Sequence, residues 1–381
     1  MEKFLVSKAP YLRSADIAHT TRSKMRDLWI ALTPVLLFAI YKNVVKVLIT
    51  NTYVNLYQAF YPLILLIIAP LYSILLEMLC LIIMHKDQVK SFKDLIDLEK
   101  TEFGAFPGLF MVLTAPAYTP MWIIIVGISV GEVVGKMLFG GFGQNIFNPA
   151  LVGRAFIAFT FSSYLGGAYL NPYELGIGAY AGATPLTGYT KLVVEDITYA
   201  NVVGKYGNLW NFFLGTVPGA LAETSALAIL IGGIYLIVRK VIDYRIPLVY
   251  ILTVFVTTFF IGLKIGQGIW YPLYHILSGG LFLGAFFMAT EPVTSPKTPL
   301  ARVIYALFLG LLTVLFRLIG NLPEGVATAI VTMNIFGLAI NQYCIRLRIE
   351  GKMTKKYVLG LVVMSSIAIL LFVYILVFAH N

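Results

Sequence analysis

The sequence predicts an all-α polytopic membrane protein, and three observations carry that expectation. Of the 381 residues, 59% are hydrophobic and 12% are charged, whereas a soluble domain carries roughly a quarter charged residues. Uncharged or nearly uncharged runs recur at the ~20 residues a helix needs to cross a bilayer. The clearest, Tyr357 to Ala379, has no charge at all. The cations are also unevenly placed. Spans are expected near residues 28–49, 58–84, 105–120, 121–139, 148–166, 219–238, 246–265, 273–290, 301–318, 322–341 and 357–379. With the N-terminus cytoplasmic, 21 Lys and Arg fall on the inner side and 6 on the outer, with Arg154 inside a span. That asymmetry follows the positive-inside rule and sets the orientation. A transmembrane β-barrel would instead show short alternating segments.

Along the chain, residues 1–27 read as a polar, basic cytoplasmic segment without the apolar core of a signal peptide. Residues 28–166 form a first membrane half and 211–341 a second, with the external loop 167–210 between them. Two short spans look alike. "PGLFMVLTAPAYTP" (Pro107–Pro120) and "GGLFLGAFFMATEPVTSP" (Gly279–Pro296) both open on Gly-Leu-Phe and end in a Pro/Thr-rich break. Lying five spans apart, they run in opposite directions, as in an inverted repeat with functional sites at interrupted helices. Chance similarity of apolar segments is the alternative. The expected architecture is about ten transmembrane helices in a five-plus-five, urea-channel-like inverted repeat. A basic cytoplasmic loop (342–356) and one additional C-terminal helix (357–381) follow, which leaves the C-terminus outside. The net charge of +10 is thereby a membrane address; the implied contact is lipid, and no nucleic-acid partner is expected.

Within the fourth span, Gly127, Gly131 and Gly135 repeat at four-residue spacing, a bare helix face that lets a neighbour approach closely. "FGGFGQNIFNPALVGRA" follows, Phe139 to Ala155. Gly140, Gly141 and Gly143 break the helix, Asn145 and Asn148 are turn formers, and Pro149 suits the first position of the next helix. With Arg154 close behind, the segment reads as a polar binding loop, against the alternative of a tight structural turn.

Charges inside spans are costly and need a partner, water or a function. Glu132 and Lys136 are four apart on one helix, so mutual pairing explains both. Glu77 and Glu223 have no partner nearby in sequence and are the candidates for ion or proton handling. Cys80 and Cys344 are isolated and the four His are scattered, so no metal or iron–sulfur ligand set is expected. Any redox group must be organic or belong to a partner.

The external loop holds "GIGAYAGATPLTGY", Gly176 to Tyr189, a small, polar stretch in an apolar chain. Taken with "GGFGQNIFNPALVGRA", "HILSGGLFLGAFFMATEPVTS" and "LPEGVATAIVTMN", it resembles the D subunit of Rnf complexes, the ion-translocating ferredoxin:NAD oxidoreductases. The B subunit of the sodium-pumping NADH:quinone reductase is a close relative and the alternative assignment. The resemblance runs over residues 5 to 350 and implies an FMN joined through its phosphate to Thr184. Gly182, Ala183 and Pro185 match the attachment motif, while Gly178 and Ala181 stand where the pattern has Asp and Ser or Thr. Thr187 is the other hydroxyl of the loop, and Lys191 is the nearest cation in sequence.

The resemblance further implies riboflavin nearer the cytoplasmic side, with Gly140, Gly141, Asn145, Asn148 and Arg154 on the inner loop. His275, Ser278, Thr290, Glu291 and Thr294 would line or gate the flavin cavities. It implies a bacterial cytoplasmic (inner) membrane and a redox-driven translocase coupled to Na+ or H+. The partners implied are the membrane iron–sulfur subunits, the FMN-bearing G subunit, the NAD-binding C subunit and the ferredoxin-accepting B subunit. A urea-like small-solute channel is the alternative of a different class; the Thr184 loop, for which a channel has no use, separates the two.

Overall fold

The computed structural model describes residues 20–51, 55–86, 89–167, 186, 198–319 and 325–349. Among them every regular element is helical. Helix α1 (Thr21–Ile49) starts where the Thr20 hydroxyl accepts from Ser23 N at 3.2 Å, and widens into a π turn at Tyr41–Val45. Helix α2 (Leu56–Met84) begins on Asn55, whose side chain accepts from Gln58 N. Helix α3 (Phe92–Glu102) is short and amphipathic, opened by a Ser91/Asp94 capping box. It ends at Phe103, in the left-handed region at φ 57°.

Helix α4 (Ala105–Thr114) differs from the expected span over 105–120. Its ten residues cover about 15 Å, half a bilayer. Ala115, which precedes Pro116, is extended at ψ 154°, as the residue before a proline prefers. The carbonyls left open at this end are met from across the fold: Leu221 N donates to Ala115 O (2.9 Å) and Ala222 N to Leu113 O (3.1 Å).

Helices α5 (Met121–Gly135) and α6 (Pro149–Thr160) pack backbone to backbone. A Cβ on Gly131 would overlap the Pro149 carbonyl, and one on Gly153 the Gly127 carbonyl. The glycine stripe thus has the packing role its spacing implied. Short helices α7 (Ser162–Gly167), α8 (Tyr199–Val202) and α9 (Leu209–Leu214) follow. Helix α10 (Ala226–Val238) begins later than the expected span at 219, because Ser225 caps it by accepting from Ala228 N.

Helix α11 (Arg245–Lys264) is followed by α12 (Trp270–Leu277) and α13 (Leu281–Met288), bent by 63° at the intervening break. The expected span 273–290 is therefore two half-helices. Helices α14 (Pro299–Leu318) and α15 (Gly325–Ile349) complete the described chain. Arg346 and Arg348 ride on the last turn of α15. The expected additional helix, 357–379, lies outside the described residues.

Among the described residues, six helices are long and apolar enough to cross a membrane, and the bent pair α12–α13 makes a seventh if it counts as one span. Helix α2 packs on α4 and α5, and α5 on α6; α11 packs on α12 and α14, and α14 on α15. Helix α1 packs on α10, and α6 on α15. One continuous apolar core joins all of them.

Candidate functional site

Among the described residues, two buried charge clusters sit at breaks between helices, one at α3–α4 and one at α12–α13. The inner one surrounds the α3–α4 break. Lys136 is 2% exposed, and its ammonium forms an ion pair with Glu77 Oε1 of α2 and donates to the Glu102 carbonyl at 2.8 Å. The expected Glu132–Lys136 pairing is not formed. Helix α5 ends at Gly135 and Lys136 leaves the helical conformation at φ −127°, which removes the i,i+4 alignment.

Glu132 instead accepts from Ser73 Oγ at 2.6 Å, and Ser73 in turn accepts from Gly108 N of α4 at 3.1 Å. Glu99 Oε1 accepts from Gly104 N (3.3 Å) and Glu102 Oε2 from Phe142 N (2.6 Å). Four carboxylates thus surround one ammonium. Burial, reinforced by the charge of Glu77, pushes the Glu99 carboxyl up to about 8. Burial likewise raises Glu102. Sequence reasoning missed Glu99 and Glu102, since both lie on a polar helix that composition reads as solvated surface.

Beside this cluster opens a cleft between the helices. Phe103, Phe106, Phe110, Phe142 and Phe287 give it aromatic walls. Lys24 and Lys136 face it together with Glu102 and Glu291, so its formal charge is balanced.

The second cluster surrounds the α12–α13 break. Arg317 of α14, 1% exposed, donates to the carbonyls of His275 (2.6 Å) and Ser278 (3.0 Å). Glu223 lies against Gly280, where a Cβ would stand 2.6 Å from its Oε2. From α1, Lys42 Nζ donates to Val217 O (2.6 Å) and Thr224 Oγ1 (2.9 Å), and Asn43 to Leu221 O (3.0 Å). Leu186 is fully buried and packs on Gly279. Lys24 lines the first cluster's cleft and Lys42 reaches the second. Eighteen residue steps from Lys24 to Lys42 put the two sites about 27 Å apart along α1.

A profile of the NQR2, RnfD, RnfE family matches residues 5–350. The chain belongs to this family. It is 37% identical over 250 residues to the D subunit of the proton-translocating ferredoxin:NAD(+) oxidoreductase complex of Clostridium ljungdahlii, covering 64% of this chain and 73% of that one. It is 37% identical over 230 residues to the D subunit of the Na(+)-translocating ferredoxin:NAD(+) oxidoreductase complex of Acetobacterium woodii, covering 60% and 66%. Over 253 residues it is 33% identical to the B subunit of the Na(+)-translocating NADH-quinone reductase of Chromohalobacter salexigens, covering 65% and 59%. The family's named members are thus subunits of ion-translocating oxidoreductases.

The structure gathers Asn145, Asn148, Thr290 and Glu291 at the inner cleft of this family member. Both Asn side chains also serve the turn: Asn148 caps α6 through Leu151 N, and Asn145 donates to Phe147 O. Thr294 donates to Glu291 Oε2 at 3.0 Å. Gly140 and Gly141 adopt positive φ (109° and 91°), which explains their identity. Their N–H groups are taken up by Met137 O and Lys136 O, so they are not free to meet a ligand.

Arg154 donates from Nε to Thr114 O at 2.9 Å, capping the end of α4. Ser278, His275 and Glu223 belong to the other cluster. His275 is buried edge-on against Tyr271, 4.6 Å between centroids. Thr184, Gly182, Ala183 and Pro185 lie outside the described residues. Lys42 and Arg317 were not anticipated at a site; an arginine in an otherwise apolar helix, "LFLGLLTVLFRL", was the available signal for the second.

Proposed function

We propose that this protein is the membrane electron-transfer subunit of an Rnf-type complex, carrying electrons between ferredoxin and NAD and coupling them to Na+ or H+ movement. Its partners would be the iron–sulfur, FMN-bearing, NAD-binding and ferredoxin-accepting subunits, in a bacterial inner membrane with the N-terminus cytoplasmic. The two ferredoxin:NAD relatives, at higher identity than the quinone-reductase subunit, favour the Rnf reading.

The observation that carries the redox role is the burial of Leu186 at the outer break. Leu186 follows Thr184 by two residues in the sequence, which supports the outer break as the side that the attachment loop serves. The inner cleft suits a neutral flavin. Its aromatic walls fit a flat ring system, its amides and hydroxyls fit polar ring edges, and its balanced charges offer nothing to a phosphate. Riboflavin meets those terms and FMN does not. Bound flavins would supply one- and two-electron chemistry; the chain supplies position, field and exclusion of water.

Coupling is assigned to the carboxylates at the breaks, Glu77 inside and Glu223 outside. The breaks correspond: each has a cation on the carbonyls before it (Lys136, Arg317) and a buried carboxylate against its glycine (Glu77, Glu223). A hydroxyl pair ties the flanking helices in each half, Tyr72 with Ser129 at 2.8 Å and Tyr250 with Thr313 at 2.5 Å. These matched features support a five-plus-five inverted repeat.

The test is intact-mass spectrometry with in-gel fluorescence on the chain purified from its host. Wild type should carry the mass of one FMN less water and fluoresce after denaturation. Thr184→Val should abolish both while the chain still folds. Wild type without the added mass, or a Thr184→Val variant that keeps it, would refute attachment at this residue.

A further inference from the structure

We propose that α3 is a proton-dependent latch on the inner cleft. A proton shared between Glu99 of α3 and Glu77 of α2 holds the helix down, and its loss frees the helix and opens one wall of the cleft. The latch is built from this chain's own side chains and needs no bound flavin.

The two carboxylates meet at Gly104. A Cβ there would overlap Glu77 Oε2 and stand 3.0 Å from Glu99 Oε1. Glu77 is fully buried, and its Oε2 and Glu99 Oε2 both lack a hydrogen-bond donor. An ionised carboxylate only accepts, so two side by side leave these oxygens unmet, whereas one proton makes the pair donor and acceptor. Burial, then the charge of Glu77 and a hydrogen bond to it, raise the Glu99 carboxyl to about 8. Lys136, at the end of α5, acts against that rise and is itself paired with Glu77. The other charged groups at the cluster are Glu132 of α5, held by Ser73, and Glu102 of α3, with His85 acting on it.

Little else fastens α3. Leu95 is its buried side chain, set with Leu81 and Met137 in a small apolar cluster apart from the main core. Its Asp97–Lys100 pair is exposed. The end of the helix is nevertheless part of the cleft, since Glu102 and Phe103 line it. Glu102 Oε2 accepts from Phe142 N, and the Phe103 and Phe142 rings lie 5.2 Å apart. Phe103 at φ 57° is held in a conformation uncommon for a bulky residue, which release would relax. The switching step is one proton. The Glu99 O–H bond breaks, the proton passes to water, and two adjacent carboxylates are left beside the Lys136 ammonium.

The experiment is hydrogen exchange with mass spectrometry on the native assembled complex from pH 6 to 9, corrected for the intrinsic rate at each pH. A free helix of eleven residues is marginal in water, so release appears as lost protection. With a docked value of about 8 and an ordinary 4.5, docking is strongest at low pH and weakens as pH rises. Protection of α3 should fall about fiftyfold from pH 6 to 8 and level off above about 9. Peptides spanning Phe142 should lose protection in step, while those of α14 keep theirs. Glu99→Gln, which donates to Glu77 without a titrating proton, should remove most of the fall. Asp97→Asn, on the exposed pair, should leave it intact. Wild-type protection of α3 that stays flat from pH 6 to 8 overturns the proposal, and that arm needs no variant. A fall that Glu99→Gln keeps in full assigns the proton elsewhere and overturns it too. So does a fall in α3 that Phe142 does not follow, because the helix would then move without the cleft wall.

Discussion

The inner cluster makes a sharp prediction for Lys136→Met. The substitution keeps an unbranched apolar stem and removes the ammonium that pairs with Glu77 and holds the Glu102 carbonyl. Both partners are buried, at 2% and 0% side-chain exposure. Removing one member of such a pair costs about 3–5 kcal/mol, because the other is left as an uncompensated buried charge. Adding Glu77→Gln should return part of that loss, with a coupling of about 1–3 kcal/mol in the double-mutant cycle.

The loss should also depend on pH through Glu99, whose folded pKa is about 8 against an ordinary 4.5. A carboxyl raised in the folded state favours folding through its proton. That stability is complete below pH ~4.5 and is lost as pH rises through ~8. Lys136 lowers the Glu99 pKa, so its removal should widen the deficit between pH 6 and 9. The assay is reversible unfolding in mixed micelles of wild type, both single variants and the double variant across that pH range. Wild-type stability in the Lys136→Met variant, a deficit flat in pH, or strictly additive substitutions would refute the reasoning.

Other perturbations test the packing and the outer break. Gly131→Ala drives a methyl into the Pro149 carbonyl, so α5 and α6 must part. About 1–3 kcal/mol of stability should be lost in the same assay. Arg317→Lys keeps the charge but cannot bridge His275 O and Ser278 O as the guanidinium does. Losing one buried bond should cost about 1–3 kcal/mol, and full wild-type stability would show that the fork geometry does not matter.

What the sequence revealed and what it hid divide along physical lines. Spans were legible because hydropathy is a sum over neighbours in the chain, and α2, α5, α11 and α14 lie where their apolar runs put them. The glycine stripe was legible because a four-residue period is a face of one helix. Half-helices were less so. Local chemistry ends α4 before Pro116 and starts α10 on Ser225, yet apolar composition continues through both boundaries. The inner cluster was not legible at all. Glu77, Glu99, Glu102, Glu132 and Lys136 come from three helices and their ends, and only the oppositely charged pair four apart, Glu132 and Lys136, suggested a contact, which the turn at Lys136 prevents. Long-range pairing of this kind is set by packing, to which hydropathy is blind.

The two breaks also differ in a way that assigns them different work. At the outer break the buried cation on the carbonyls is an arginine, charged at every accessible pH. The inner cation is a lysine among four carboxylates, a group whose charge can change by proton or cation exchange. Distance decides which break can respond to an arriving electron. A unit charge at the outer site, about 27 Å away along α1, acts on the inner cluster with about 0.6 kcal/mol at an effective dielectric constant near 20. That is less than a threefold change in an equilibrium, too little to move an ion by field alone. A charge arriving in the inner cleft instead meets Lys136 and Glu102, which line it. At about 4 Å the same relation gives about 4 kcal/mol, close to a thousandfold. Under the proposed coupling, a charge in the inner cleft therefore acts on Glu77 and its neighbours, and a charge at the outer break acts on Glu223.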